Sequence, residues 1–256
     1  MRAVAALLDS RAALGALRRT LPRGAAPVAA CRSVKGLELA LRTRLLEAIV
    51  LGAAVARQLS LEALRTRFPN IPIVVFGVLR SEDAELLLSW QRLAVAAVAI
   101  EGVDDPVIGD LVVRESVSAR RAAALAEVPR LLRLSEPLQR KTWELLVAEF
   151  GRPPRTATLA RSLRLSREHL SRQFGAGGAP NLKRVADLLT VHAALSLLGN
   201  PGYSVPAVAG LLDFGTPSHL RLVVKRITGL GVEEARGLGE RDVLGRFLRM
   251  SARTRR

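Results

Sequence analysis

TATLARSLRLSREHLSRQF, residues Thr156–Phe174, reads as two short helices joined by a tight turn. Leu159, Ala160 and Leu163 share one face of the first, and Arg164-Leu165 makes the turn. Ser166 is an N-cap for the second helix, Arg167–Phe174, which Leu170 and Phe174 anchor inward. A short helix, a turn of three to four residues and a capped second helix are the parts of a helix-turn-helix. The pattern then recurs. Ser204–Leu212, SVPAVAGLL, is a short helix capped by Ser204, with Val205, Val208 and Ala209 inward. Asp213-Phe214-Gly215 turns the chain. Thr216 caps a second helix, Pro217–Thr228, whose proline sits at the first position, where a missing N–H costs little. Leu220 and Val224 face inward. The caps Ser166 and Thr216 are 50 residues apart.

Between the two units, Leu182–Leu198 is apolar at Leu182, Val185, Ala186, Leu189, Ala193 and Leu197. As a helix it is roughly 25 Å long. That length suits holding two second helices about one DNA turn apart, some ~34 Å. Upstream, Leu138–Phe150 reads as a helix with Trp143, Leu145, Leu146 and Phe150 mostly on one side, ended by Gly151-Arg152-Pro153-Pro154. Residues 126–137, with Pro129, Pro137 and several charges, read as a linker, and 241–256 as a basic tail.

The first 125 residues have a different grammar. Five apolar runs, Arg2–Leu8, Ala26–Cys31, Glu47–Leu51, Ile71–Phe76 and Ala94–Ile100, alternate with helical stretches at Arg11–Leu21, Val34–Arg44, Leu59–Phe68 and Ser81–Leu93. Ser81 is expected as the N-cap of the fourth, with Glu82, Asp83 and Glu85 in its first turn. A last helix is expected from Asp104–Pro106 towards Leu125. Continuous apolar runs alternating with helices predict an α/β domain with a flavodoxin-like, five-stranded parallel sheet, followed by an all-α domain carrying the two helix-turn-helix units.

Charge follows the same division. Residues 1–125 hold 17 Lys and Arg against 12 Asp and Glu, a net of +5, so +11 of the total of +16 belongs to residues 126–256. A basic C-terminal half suits a polyanionic partner, although the Ala-, Leu- and Arg-rich composition of a GC-rich genome pushes charge the same way. Cys31 is the single cysteine. That excludes a disulfide framework and a cysteine-based metal site, and the residue is expected as a buried, inert thiol. No apolar stretch reaches the ~18–20 residues of a membrane span, no signal-cleavage pattern appears, and a cytoplasmic location is expected. The histidines, His169, His192 and His219, have no metal-ligand spacing, and no phosphate-binding glycine loop or nucleophile elbow is present. Neither an enzyme, a cofactor nor a bound metal is expected.

Over about residues 138–236 the chain resembles the DNA-binding domain of the AraC/XylS family. The residues that carry the resemblance are LARSLRLSREHLSRQF, then Ala194-x-x-Leu197-Leu198, then VAGLLDFGTPSHLRLVVKRITG and the closing Arg236. Departures are Asp213 for the family's glycine, Leu220 and Val224 for aromatics, Val232 for proline and Thr190 for arginine. The resemblance implies that outward residues early in each second helix face base edges. These are Arg167, Glu168, Ser171 and Arg172 in the first unit and Ser218, His219 and Arg221 in the second. Arg172 suits guanine and Glu168 suits cytosine. Lys225, Arg226 and the cap hydroxyls Thr156 and Ser204 are candidates for phosphate.

Residues 1–125 resemble a response-regulator receiver domain in layout, with its chemistry missing. The acidic pair after the first strand is Leu8-Asp9. Gly52 stands where the phosphoacceptor aspartate belongs, Gly77 at the switch hydroxyl and Glu101 at the lysine. Without a carboxylate at 52 no acyl phosphate forms, and Asp9 alone is a poor magnesium site. Asp9 is therefore expected to cap a turn, and no phosphorylation site is expected. The whole implies a bacterial transcription regulator with a non-phosphorylatable regulatory or dimerisation domain. Its expected partner is double-stranded promoter or operator DNA. RNA polymerase and a second copy of the chain, met through the N-terminal half, are further candidates, and a membrane is not. An interaction adaptor that no longer reads DNA and a ligand-sensing regulator are the alternatives.

Overall fold

In a computed structural model that describes residues 1–149 and 151–253, the chain divides into two compact units, 1–121 with 200–202 and 122–199 with 203–253. The first is a five-stranded parallel sheet. Strands β1 (Arg2–Leu7), β2 (Val28–Ala30), β3 (Leu45–Leu51), β4 (Ile73–Gly77) and β5 (Ala97–Ile100) lie in the order β2-β1-β3-β4-β5. This is the flavodoxin-like order, as the alternating runs predict. Helices α1 (Arg11–Thr20), α2 (Val34–Thr43), α3 (Ala53–Gln58), α4 (Leu61–Arg67), α5 (Ala84–Arg92), α6 (Ile108–Glu115) and α7 (Val117–Ala124) fill the connections.

The strands are apolar throughout because both faces are covered. Val4, Ala6, Ala48, Val50, Val74, Phe76 and Ala99 pack with Ala13, Ala16 and Leu17 of α1 and Ile108 and Val112 of α6. The intervening Ala3, Ala5, Leu7, Ile49, Leu51, Ile73 and Val75 are equally buried and point to the opposite face, since side chains alternate along a strand. Each large aliphatic side chain so buried contributes about 1.5–3 kcal/mol.

Three expectations change here. The single last helix is two, broken at Ser116, whose hydroxyl accepts from the Ala119 N–H. Buried Glu47 explains the break. It lies inside β3 and accepts from the Ser118 N–H at 2.9 Å and the Ser118 hydroxyl at 2.8 Å, with Arg2 at 3.5 Å. A buried carboxylate needs such donors, and the start of α7 supplies them. Residue 81 begins a 3-10 turn rather than capping α5, and Asp83 accepts the Arg80 N–H at 2.7 Å. That bond, with Arg57 at 2.5 Å, holds the Asp83 carboxyl below the usual carboxylate range. Finally, Cys31 is half-buried rather than enclosed, and partial burial pushes its thiol up.

The second unit is all-helical: α8 (Val128–Leu131), α9 (Pro137–Ala148), α10 (Thr156–Ser162), α11 (Arg167–Phe174), α12 (Leu182–Leu198), α13 (Val205–Leu211), α14 (Pro217–Thr228), α15 (Val232–Ala235) and α16 (Glu240–Arg253). Residues 126–137 do not behave as a linker, because Val128, Leu132 and Leu134 are buried in this unit. The tail expected from 241 is helical through Arg253, with Val243 and Phe247 buried and α16 packed on α12 and α14. The last three residues, and Phe150 of the α9 expectation, lie outside the described residues.

Candidate functional site

Helix pairs α10–α11 and α13–α14 turn by one hydrogen-bonding scheme. In the first, the Leu165 N–H donates to the Ala160 carbonyl at 2.9 Å and the Arg164 N–H to Arg161 at 3.1 Å. In the second, Phe214 donates to Ala209 at 2.8 Å and Asp213 to Gly210 at 3.2 Å. These six-to-one and five-to-two pairs define a Schellman motif, whose penultimate residue must be left-handed. Arg164 and Asp213 occupy it with φ of 56° and 62°. Both are non-glycine residues in a region that glycine occupies at no steric cost, and aspartate is among the better tolerated. Asp213 therefore makes the same turn as Arg164 without a glycine. The residue after each turn caps the next helix: Ser166 accepts from the His169 N–H and Thr216 from the His219 N–H, each at 3.1 Å.

Behind these caps the inner faces close. Leu170, Phe174, Leu220 and Val224 are fully buried, so aliphatic side chains fill the inner face of α14. The intervening α12 spans the seventeen residues Leu182–Leu198 and packs on α9, α13, α14 and α16. Among its buried residues is Thr190, whose hydroxyl donates to the Ala186 carbonyl and so satisfies itself within the helix.

Outward of this frame, Arg167, Glu168, Ser171 and Arg172 are all exposed on α11, and Ser218, His219, Arg221, Lys225 and Arg226 on α14. His219 meets the Phe214 ring edge-on, with centroids 5.2 Å apart. Ser204 caps α13 by accepting from Ala207, which leaves its hydroxyl proton to donate. Thr156 is not a cap. It is the first residue of α10, Arg155 holds the cap position, and no side-chain cap bond forms. Its hydroxyl therefore lies past the point from which it can accept the first-turn N–H groups.

Sequence reasoning missed the residues that hold this surface in place. Gln139 of α9 is buried, and its amide donates to the Phe174 carbonyl at 2.9 Å and the Ala176 carbonyl at 3.1 Å, tying off the end of α11. Arg152 donates through Nε at 2.7 Å, and through Nη2, to the Leu211 carbonyl at the end of α13. Asp187 of α12 pairs with Arg226 at 2.7 Å. Burial pushes the Asp187 carboxyl up despite Arg226 and Lys183 nearby. None of the three has a local sequence signal, since each partner lies between 35 and 59 residues away. Replacing Gln139 with Leu strands two carbonyls that lose their donors, and is expected to lower unfolding free energy by about 3 kcal/mol. Urea denaturation measures this, and a loss below about 1 kcal/mol would show that water reaches both carbonyls.

In the first unit, ligands of such sheets bind where the strand order reverses, here between the C-terminal ends of β1 and β3. That place is filled. Asp9 accepts from the Ala54 N–H at 2.9 Å and the Val55 N–H at 3.2 Å, so it caps α3 rather than its own turn. A Cβ at Gly52 would lie 2.3 Å from the Asp9 carboxyl carbon, and one at Gly77 would lie 2.7 Å from the Ala53 nitrogen. Glu101 accepts from the Ser10 hydroxyl at 2.5 Å. Asp9 and Glu101 thus bind neighbouring loops, and Gly52 and Gly77 stand where the chain has no room for a side chain.

No family model and no curated protein match the chain. Among solved structures, full-length FixJ from B. japonicum matches at 13% identity with a TM-score of 0.38, covering 93% of this chain and 98% of that one. A likeness at that level carries nothing over to this chain. No helix among the described residues is long and apolar enough to cross a membrane, and no cluster of potential metal ligands occurs among them.

Proposed function

We propose that the chain is a DNA-binding transcription regulator of the AraC type, with a receiver-like domain that does not undergo phosphotransfer. The observation that carries it is the matched pair of Schellman-turned, side-chain-capped helix pairs joined in the chain by one seventeen-residue helix. Helix pairs that merely fill a core need neither the same turn nor a polar, exposed second helix. Here α11 presents two arginines, a glutamate and a serine outward, and α14 presents Ser218, Arg221, Leu222 and Lys225.

Arg172 reads guanine O6 and N7 by its planar fork, and Glu168 accepts from cytosine. Leu222, 61% exposed on α14, offers its methyls to thymine. Selection of bound duplexes from a random pool is expected to yield one enriched motif with two parts separated by about one helical turn. Arg172→Ala should then cost about 2 kcal/mol on the selected site, roughly thirtyfold, and relax a single base position. Equal loss on unrelated sequence would show that Arg172 contacts only backbone, and an unenriched pool would remove the regulator reading altogether.

A further inference from the structure

A groove of about 500 Å³ opens between the start of α10, the start of α11 and the first two turns of α12. Arg155, Arg167, Lys183, Arg184 and Arg226 line it against one carboxylate, Asp187. Three of these cations stand at the wrong end of a helix. Arg167 opens α11, and Lys183 and Arg184 lie in the first turn of α12, where the positive end of the helix dipole disfavours them. The helix dipole therefore does not account for their placement, and all three turn towards the space where an anion would sit in the groove. Arg184, half-buried, is further positioned over the Phe247 ring, 5.5 Å from its centroid.

Resting on the DNA-binding reading above, we infer that this groove seats the phosphate backbone of the bound duplex, and that Asp187 is a brake built into it. The groove adjoins the outward face of α11, since Arg167 and Ser171 belong to both. Strand phosphates beside a major groove filled by α11 would thus meet Arg155 and Lys183. Asp187 opposes them twice: it adds the groove's one negative charge and it holds Arg226 in an ion pair at 2.7 Å. Burial outweighs the Arg226 and Lys183 charges in its effect on this carboxyl. A partly buried carboxyl whose affinity for protons is raised subtracts stability as pH rises from the unfolded value through the folded one. Asp187→Asn is accordingly not expected to lower the melting temperature at pH 7.

The test measures binding of the full-length chain to a mixed-sequence 30-base-pair duplex by fluorescence anisotropy across a potassium chloride series. Each lost phosphate contact lowers the log–log salt slope by about 0.9. Arg155→Gln with Lys183→Gln is therefore expected to lower the slope by about 2 and to weaken binding roughly sixtyfold at 100 mM salt. Asp187→Asn is expected to tighten binding about fivefold, and serves alone if the double variant does not fold. Wild-type binding with an unchanged slope in the double variant, or with no gain in Asp187→Asn, overturns the inference and leaves the DNA reading standing. Absence of wild-type binding to this duplex and to any selected one overturns both. Inorganic phosphate is the third arm. If it raises the melting temperature of wild type but not of the double variant, while DNA affinity is the same in both, the groove is a small-anion site and the DNA assignment is wrong.

Discussion

Gly52→Asp, the change that would seem to restore a phosphoacceptor, is expected to destabilise the first unit by about 4 kcal/mol and to gain no phosphate. The new Cβ would lie 2.3 Å from the Asp9 carboxyl carbon, far inside contact distance. Asp9 must then leave the Ala54 and Val55 N–H groups, and each hydrogen bond to a charged group is worth about 1.5–3 kcal/mol. The new carboxylate would also sit beside Asp9, and Glu101, bonded to Ser10, stands where a lysine would be needed. Like charges so close disfavour ionisation of either, which removes the nucleophile as well. Incubation with acetyl phosphate and magnesium, followed by intact mass measurement, should show no added phosphoryl group. Gly52→Ala separates the causes, since it carries the steric clash without the charge and should account for at least half of the loss. A Gly52→Asp protein that melts like wild type and takes up a labile phosphate would refute this account of the site.

The same site shows what a linear sequence conceals. The identities of its four positions, Asp9, Gly52, Gly77 and Glu101, are legible, because strand ends set where they fall. What Asp9 holds is not. Asp9 was expected to cap its own turn, but it caps a helix that begins 44 residues later, and no spacing rule connects the two. Elements defined by local signals were well anticipated. The bounds of α12 follow from an apolar face with Asn181 capping one end and Gly199 ending the other. Ser166, Ser204 and Thr216 are caps as their positions imply. Elements defined by context were missed. In α16 the arginines dominate the composition, and only Val243 and Phe247, four apart, mark a buried stripe. In the break before α7 the cause is Glu47, 71 residues upstream of its partner. Of the candidate interface, the outward residues of α11 and α14 could be named from their helices. The side chains that fix those helices, Gln139, Arg152 and Asp187, act across the fold and had to be seen.

Gly151→Ala is the second change with a large expected effect, about 4 kcal/mol, which for a chain of this size is roughly 10 °C in melting temperature. Two independent costs combine. Gly151 has φ of 73°, and an alanine held there carries about 1–2 kcal/mol of backbone strain. Its added methyl would lie 2.2 Å from the Ala193 Cβ of α12, an overlap that α12 cannot relieve by rotating a side chain, because alanine has none to rotate. The backbone must move instead, and the next residue is Arg152, whose guanidinium holds the end of α13 at the Leu211 carbonyl. Displacement at 151 is therefore transmitted to the second helix pair. Under the proposed DNA-binding function, affinity for a selected duplex should fall at least tenfold at temperatures where the protein remains folded, with α14 affected more than α11. A thermodynamic cycle with Ala193→Gly tests the steric half. That substitution alone costs about 1 kcal/mol through helix propensity, yet in the Gly151→Ala background it removes the overlap, so the two changes together should cost about 2 kcal/mol less than their sum. Additive losses would mean that the strained backbone, not the contact with α12, makes glycine necessary at this point.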